Sequence, residues 1–171
     1  MGKGRIKKVC SNTFEHEYWS IDKLVIGIDE AGRGPIAGPE VVAGVVFPIG
    51  YHNEDIYDSK AISEKKREEL FEVIKKDALE FHIEIVSEKV IDIIKGDQKS
   101  VSIAAASILA KVTRDRIMYE LDKKYPEYDF KHNKGYPTKK HLEALEQYGA
   151  LDIHRRSYGP VYKLDQMKFD I

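Results

Sequence analysis

Two adjacent carboxylates, Asp29 and Glu30, follow an apolar run at Leu24–Ile28. A glycine-rich loop begins directly after them. The run predicts a buried strand, and carboxylates at a strand end can hold a hard divalent cation that takes oxygen ligands. The loop has three glycines, one arginine and two prolines. Glycine lets backbone N–H groups approach a ligand that a Cβ would keep away. The pattern predicts a metal site that faces a phosphate or a sugar, although an ordinary strand and a turn with solvated acids would have the same residues.

The rest of the sequence predicts the elements that position this loop. Further strands are indicated by apolar patterns at Val41–Phe47 and Phe81–Val86. Helices are predicted from Ser63 onward, from about Ser102 to Lys124, and from Pro137 and Thr138 to a stop at Gly149. Strands that alternate with helices favour the α/β class. Residues 1–20 are interpreted as an N-terminal arm, and residues 21–171 as a single domain.

Composition narrows the possible partners and compartments. The chain has 171 residues, of which 42% are hydrophobic and 33% charged, as expected for a globular protein with one core. Its formal net charge of −1 gives no general argument for nucleic acid, although local basic clusters could still bind phosphates. Cys10 is the only cysteine, so an internal disulfide and a zinc finger are excluded. With no apolar run of membrane-spanning length and no secretory signal, the prediction is a cytoplasmic protein.

Several short motifs occur together in a fixed order. They are Gly27–Pro39, Asp58–Lys60, Lys95–Asp97, Ala104–Arg116, Lys134–Thr138 and His154–Val161. As a set they resemble type 2 ribonuclease H (ribonuclease HII), which cleaves RNA within RNA–DNA hybrids and at single ribonucleotides embedded in duplex DNA. The resemblance implies an α/β protein with an RNase H-like fold, a mixed central β-sheet flanked by helices.

The resemblance also implies an acidic cluster. Asp29, Glu30 and Asp97 would bind Mg²⁺ or Mn²⁺, and Asp115 would support catalysis. Two ions about 3.5–4 Å apart can position an attacking water and stabilise charge on the phosphate. Without the resemblance, Lys-Gly-Asp favours a turn at Asp97, and the spacing favours an i,i+4 ion pair of Asp115 with Lys111 or a pair with Arg114 or Arg116.

Substrate contacts are implied for a second group of residues. Gly32, Arg33 and Gly34 would read the ribose 2′-OH, which only RNA offers, together with the ring of Tyr136. Lys60 would contact phosphate, with a structural role equally open. The alternative for Tyr136 is a half-buried aromatic residue before a proline turn. The block His154-Arg155-Arg156 is expected to support the site or to contact phosphate.

The chain departs from the family pattern between Val86 and Lys95. Family members carry a further segment there, with a strand that ends in another metal-binding aspartate, and Asp92 does not replace that residue convincingly. Three explanations stay open. The natural protein contains the segment, or the chain has lost it, or another acid such as Asp92 or Asp115 replaces the missing metal-binding aspartate. Loss of a central strand would expose apolar surface and unpaired backbone groups.

The leading hypothesis is a Mg²⁺- or Mn²⁺-dependent endoribonuclease. It would cut on the 5′ side of a ribonucleotide in a hybrid or in a DNA duplex and leave 3′-OH and 5′-phosphate ends. The residues alone support a metal-assisted phosphodiesterase. One alternative is a catalytically impaired hybrid-binding module, and another is a different nuclease on the same fold. The partners would be RNA–DNA hybrids and ribonucleotide-containing duplexes, with no membrane, and the chain is expected to be a monomer.

Overall fold

The computed structural model describes residues 10–86 and 100–167. Three strands occur in this part of the chain: β1 (Ile26–Ala31), β2 (Glu40–Val46) and β3 (Glu80–Val86). The helices of the same residues are α1 (Thr13–Trp19), α2 (Glu64–Asp77), α3 (Val101–Lys124), α4 (Phe130–Asn133), α5 (Lys139–Tyr148) and α6 (Gly159–Met167), with a 3₁₀ turn at Pro126–Tyr128. The predicted α/β class is therefore confirmed.

The strands form one sheet in the order β1-β2-β3, and β1 pairs antiparallel with β2. In this register Asp29 lies opposite Ala43, and Glu30 lies opposite Val42. The buried face of β2 carries Val41, Ala43 and Val45, which are almost fully excluded from solvent. Alternation of this kind buries one face of a strand and leaves the other face outside.

The prediction of a buried strand at residues 24–28 is wrong in two respects. β1 begins at Ile26 and extends through both carboxylates to Ala31. Ile26 and Ile28 are 60% and 37% exposed, because the described residues cover only the opposite face of β1. On that covered face the start of α3 packs so closely on Gly27 that an added Cβ would lie 2.1 Å from the backbone carbon of Ser102.

The helix boundaries follow the predicted capping residues. The Ser63 side chain accepts a hydrogen bond from the backbone N–H of Lys66, and α2 starts at the next residue. The Thr138 side chain accepts likewise from the N–H of His141 at the start of α5. Gly149, with φ of 87°, ends α5 in a backbone conformation that favours glycine. All three boundary predictions are confirmed.

Part of the predicted N-terminal arm is ordered as helix α1. Its Glu15 is fully buried and accepts hydrogen bonds from the Ser100 hydroxyl and from the backbone N–H of Ser102. A carboxylate at this position satisfies donors at the start of α3 and interacts favourably with the positive end of the helix dipole. The described part of the arm therefore anchors the helix that packs on β1.

The described residues divide into two compact units. The first contains residues 10–31, 41–85 and 100–112, and the second contains residues 32–40, 86 and 113–167. The core of the second unit is built around Met118, Tyr128, Phe130 and Leu145. Among the helices of residues 10–86 and 100–167, none is both long and apolar enough to cross a membrane.

Candidate active site

The carboxylates Asp29 and Glu30 are half-buried residues of β1. Because consecutive side chains of a strand alternate, Asp29 shares the face of Gly27, and Glu30 shares the face of Ile28. The structure brings both to the end of one strand but not onto one face. Within residues 10–86 and 100–167, no group of three or more histidine, cysteine or acidic residues is arranged to hold a metal ion. The third predicted ligand, Asp97, lies outside the described residues, as does Asp92.

The motif Asp58-Ser59-Lys60 forms a tight turn in the first unit. The Asp58 carboxylate accepts a hydrogen bond from the backbone N–H of Lys60 at 2.9 Å, which leaves the lysine side chain exposed. The Ser59 hydroxyl is hydrogen-bonded to the hydroxyl of Ser107 on α3 at 2.7 Å, and both serines are buried. The turn is thus fixed to α3 by a buried polar contact, and its lysine points outward.

The glycine-rich loop of the second unit, residues 32–40, is held by one arginine. Arg155 donates hydrogen bonds from its two terminal nitrogens to loop carbonyls, at 2.6–3.2 Å: those of Gly32, Arg33, Pro35 and Gly38. Its Nη1 also lies 3.6 Å from a carboxylate oxygen of the buried Glu40. The Tyr158 hydroxyl donates to the carbonyl of Arg33 at 2.8 Å. The planar, five-donor guanidinium suits this role because it can satisfy several carbonyls at once.

A second arginine holds the far end of the same loop. Arg114, which is 2% exposed, donates to the carbonyls of Ala37, Pro39 and Lys134 at 2.9–3.1 Å. Burial lowers the pKa of the Arg114 guanidinium, and the charge of Asp115 opposes that change. Asp115 is itself buried, and its role stays a prediction.

These contacts fix the direction of the loop amides. In a planar trans peptide, the C=O and the following N–H point in opposite directions. The carbonyls of Gly32 and Arg33 point toward Arg155, so the N–H groups of Arg33 and Gly34 point away from it. Because Arg33 and Gly34 are exposed, the loop presents neighbouring backbone donors on its outer side.

Tyr136 lies directly beside this loop. A Cβ added to Gly34 would lie 3.4 Å from the Tyr136 ring, and the tyrosine side chain is 51% exposed. Gly135 packs much more closely on the loop, because an added Cβ there would lie 2.1 Å from the carbonyl oxygen of Ala37. The structure therefore brings together four of the predicted substrate residues, Gly32, Arg33, Gly34 and Tyr136, within the second unit.

Two buried histidines are hydrogen-bonded to each other, and one of them contacts the backbone of Tyr136. The Nε2 atoms of His141 and His154 are 3.1 Å apart, and the side chains are 0% and 4% exposed. Burial lowers the pKa of His154 to about 4, with a contribution from His141, and burial also lowers the pKa of His141. Both rings are therefore neutral at physiological pH.

The depressed His154 pKa predicts an acid-sensitive fold. Protons bind His154 in the unfolded chain below about pH 6.5, but in the folded protein only below about pH 4. The free energy of unfolding should therefore fall by about 2.6 kcal/mol as the pH drops from 6.5 to 4. Urea denaturation across this range measures the slope. His154→Gln should flatten it, whereas His52→Gln, at an exposed residue, should not; an equal slope in the His154 variant would contradict the prediction.

The family model for ribonuclease HII matches residues 26–92 and 76–161. The chain belongs to the ribonuclease HII family. The ribonuclease HII of Acholeplasma laidlawii is 46% identical over 180 residues, covering 82% of this chain and 89% of the relative. That of Clostridioides difficile is 47% identical over 190 residues, covering 86% of this chain and 74% of the relative.

Solved structures confirm the predicted RNase H-like fold. The ribonuclease H2 of Pyrococcus horikoshii OT3 superposes with a TM-score of 0.69 at 23% identity, covering 87% of this chain and all of that one. Ribonuclease HII proteins are metal-dependent nucleases that act on RNA–DNA hybrids. The predicted enzyme class, a ribonuclease H, and the predicted dependence on a divalent cation are thereby confirmed at the level of the family.

The alignments also bear on the missing segment. The alignment with the A. laidlawii ribonuclease HII spans 180 residues, more than the 171 of this chain, although only 82% of the chain takes part. The family model matches in two pieces that overlap at residues 76–92. Relatives therefore contain residues without a counterpart here, and the break falls where the sequence departs from the ribonuclease HII pattern.

Three residues of the site could not be recognised in the sequence. Arg114 and Glu40 take part in the contacts of the glycine-rich loop, and His141 hydrogen-bonds the Tyr136 carbonyl. Arg114 was visible only as a possible partner of Asp115, because its carbonyl partners are far away in sequence. The available signal for Glu40 was a glutamate at the start of an apolar strand, because a carboxylate buried there needs a cationic partner. Arg155 was expected to support the site, and it contacts the loop directly.

Proposed function

We propose that this chain cuts the phosphodiester bond on the 5′ side of a ribonucleotide, in RNA–DNA hybrids and in DNA duplexes with single ribonucleotides. The products would carry 3′-OH and 5′-phosphate ends. The observation that carries the proposal is the loop at residues 32–40, whose carbonyls are bound by Arg155 while its exposed amides lie beside the ring of Tyr136.

The loop and the ring supply ribose selectivity. A 2′-OH both donates and accepts hydrogen bonds, so outward N–H groups of Arg33 and Gly34 can bind its oxygen. The Tyr136 ring would pack against the adjacent sugar, where a deoxyribose fits and a second hydroxyl would need a polar partner. Lys60, exposed on its turn, would contact a backbone phosphate.

The acidic residues provide a donor set that fits the implied cations. Asp29 and Glu30 are half-buried carboxylates, and hard oxygen ligands of this kind suit Mg²⁺ and Mn²⁺. Asp29, Glu30 and Asp97 would hold the ions, with Asp115 in a supporting role. Bound ions would lower the pKa of the attacking water and stabilise charge on the phosphate. In the sequence, one residue separates Glu30 from Gly32.

The chain would act as a cytoplasmic monomer on nucleic acid duplexes. Size-exclusion chromatography with light scattering would test the monomeric state: a mass near 19.6 kDa is expected, and a dimer would contradict it.

A second candidate is a catalytically impaired module that binds hybrids without cutting them. The alignments favour it, because relatives contain residues that this chain lacks near a predicted metal ligand. Such a module would keep the loop and Tyr136 but would bind metal weakly. Calorimetric Mn²⁺ titration would separate the candidates, since two tight sites support the enzyme and weak binding supports the module.

Cleavage mapping tests the proposed activity. A 5′-labelled DNA duplex with one ribonucleotide would be incubated with Mg²⁺ or Mn²⁺ beside an all-DNA duplex. A single cut at the ribonucleotide supports the proposal. Retention without cutting supports the binding module, and trimming of the all-DNA control would indicate a different nuclease.

Gly34→Ala tests the ribose contact without disturbing the fold. The new methyl group would lie 3.4 Å from the Tyr136 ring, an ordinary contact, so thermal stability should be unchanged. Because the methyl would stand where the sugar binds, affinity for the ribonucleotide duplex should fall about 10-fold. Fluorescence anisotropy measures this effect. Gly159→Ala, where nothing lies within 4 Å, is the matched control, and equal affinities of both variants would contradict the proposal.

A further inference from the structure

We propose that His141 and His154 form a directional hydrogen-bond relay that positions Tyr136 for ribose recognition. Neither residue touches the substrate in this account, so both are positioning residues. The inference rests on the proposed role of Tyr136, and it adds the elements that set the place of that ring. Every contact that it uses lies in the second unit.

The direction of the relay follows from its first donor. The backbone N–H of Leu151 donates to Nδ1 of His154 at 3.0 Å, so this nitrogen carries no proton. A neutral His154 must then carry its proton on Nε2 and donate it to Nε2 of His141, 3.1 Å away. His141 in turn carries its proton on Nδ1 and donates to the carbonyl of Tyr136 at 2.8 Å. A single tautomer of each ring satisfies all three bonds.

The surroundings keep both rings neutral. The rings pack against the aromatic side chains of Tyr128 and Phe130, with ring centroids 5.3–6.2 Å apart. The side chains are 0% and 4% exposed, and a charge there would be poorly solvated. A proton added to Nδ1 of His154 would also face the Leu151 N–H, so the relay breaks when this ring is protonated.

The relay ends on a backbone that is fixed on both sides. The Tyr136 carbonyl also accepts from the N–H of Thr138 at 2.8 Å, and the Tyr136 N–H donates to the carbonyl of Asn133 at 2.9 Å. The following residue is Pro137, which restricts Tyr136 to extended conformations. The backbone that carries the exposed ring is thus held in place, and the ring lies beside Gly34.

The backbone of His154 also connects the relay to the glycine-rich loop. His154 forms an antiparallel bridge with Ala37, flanked by hydrogen bonds from the N–H of Gly38 to Ile153 and from the N–H of Arg155 to Ile36. His154 therefore pairs with the loop through its backbone and contacts His141 through its side chain, and His141 in turn contacts the Tyr136 carbonyl. The glycine-rich loop and the backbone of Tyr136 are thus joined through these two histidines.

The test compares His141→Asn with His141→Leu. The asparagine amide can still donate to the Tyr136 carbonyl from about the place of Nδ1, whereas leucine cannot. Affinity for duplexes with a ribonucleotide or a deoxyribonucleotide at the central position would be measured by anisotropy in Ca²⁺. The leucine variant should lose about 10-fold in the ribo-to-deoxy affinity ratio, and the asparagine variant should retain it, at matched helical content.

Nuclear magnetic resonance supplies the second readout. Long-range ¹H–¹⁵N spectra at pH 7 should show the Nδ1–H tautomer for His141 and the Nε2–H tautomer for His154. Opposite tautomers, or a leucine variant with an unchanged affinity ratio, would overturn the relay. If the unaltered protein shows no ribose preference while the tautomers are as expected, the proposed function fails and the relay stands.

Discussion

Asp29→Asn should reduce cleavage of a ribonucleotide-containing duplex by at least about 10³-fold while binding of the duplex is retained. The substitution keeps the size of the side chain and removes the negative charge that a divalent cation needs. Ribose recognition is assigned to Gly32, Arg33, Gly34 and Tyr136, none of which is altered. Single-turnover cleavage with Mn²⁺ and anisotropy in Ca²⁺ measure the two effects separately.

Asp22→Asn is the matched control for this experiment. Asp22 is exposed and has a φ of 55°, a conformation that asparagine tolerates, so both cleavage and binding should be unchanged. Loss of duplex binding by Asp29→Asn would mean that the carboxylate has a structural role. Cleavage at the original rate would remove Asp29 from the metal site.

Arg155→Ala should disrupt the glycine-rich loop and lower affinity for the ribonucleotide duplex by about 100-fold. The variant deletes the donors to four loop carbonyls and a cation that lies 3.6 Å from the buried Glu40. Lost charge-assisted hydrogen bonds should also reduce the free energy of unfolding by about 3 kcal/mol. Urea denaturation and anisotropy measure these two changes.

The neighbouring Arg156 provides the control. Arg156→Ala, at an exposed residue, should change the free energy of unfolding by less than about 0.5 kcal/mol. Arg155→Lys should recover part of the stability but little of the binding, since an ammonium group cannot satisfy four carbonyls in a plane. Equal binding losses at positions 155 and 156 would indicate a general effect of positive charge and would contradict the loop assignment.

Local sequence patterns predicted most element boundaries. Ser63, Thr138 and Gly149 mark helix ends because capping depends on residues within one turn. The exposure of Ile26 and Ile28 was not predictable in the same way, because it depends on which elements cover the outer face of β1. An apolar run predicts that a strand is present, but it does not predict which faces of the strand are covered.

The same distinction between local patterns and long-range contacts applies to the candidate site. The motifs identified the loop and Tyr136, which the structure places together. The contacts of Arg114, Arg155 and His154 with this loop join residues far apart in sequence, so no periodicity could reveal them. The role of Asp97 stays a prediction, because that residue lies outside the described part of the chain.

The most direct measurement is the affinity of the unaltered protein for two duplexes that differ in one 2′-OH. In Ca²⁺, the duplex with a central ribonucleotide should bind about 10-fold more tightly than its all-DNA counterpart, because in the proposed binding mode the loop amides would bind that hydroxyl and the Tyr136 ring would pack against the adjacent sugar. Equal affinities for the two duplexes would contradict the assignment of this loop as the ribose-reading element.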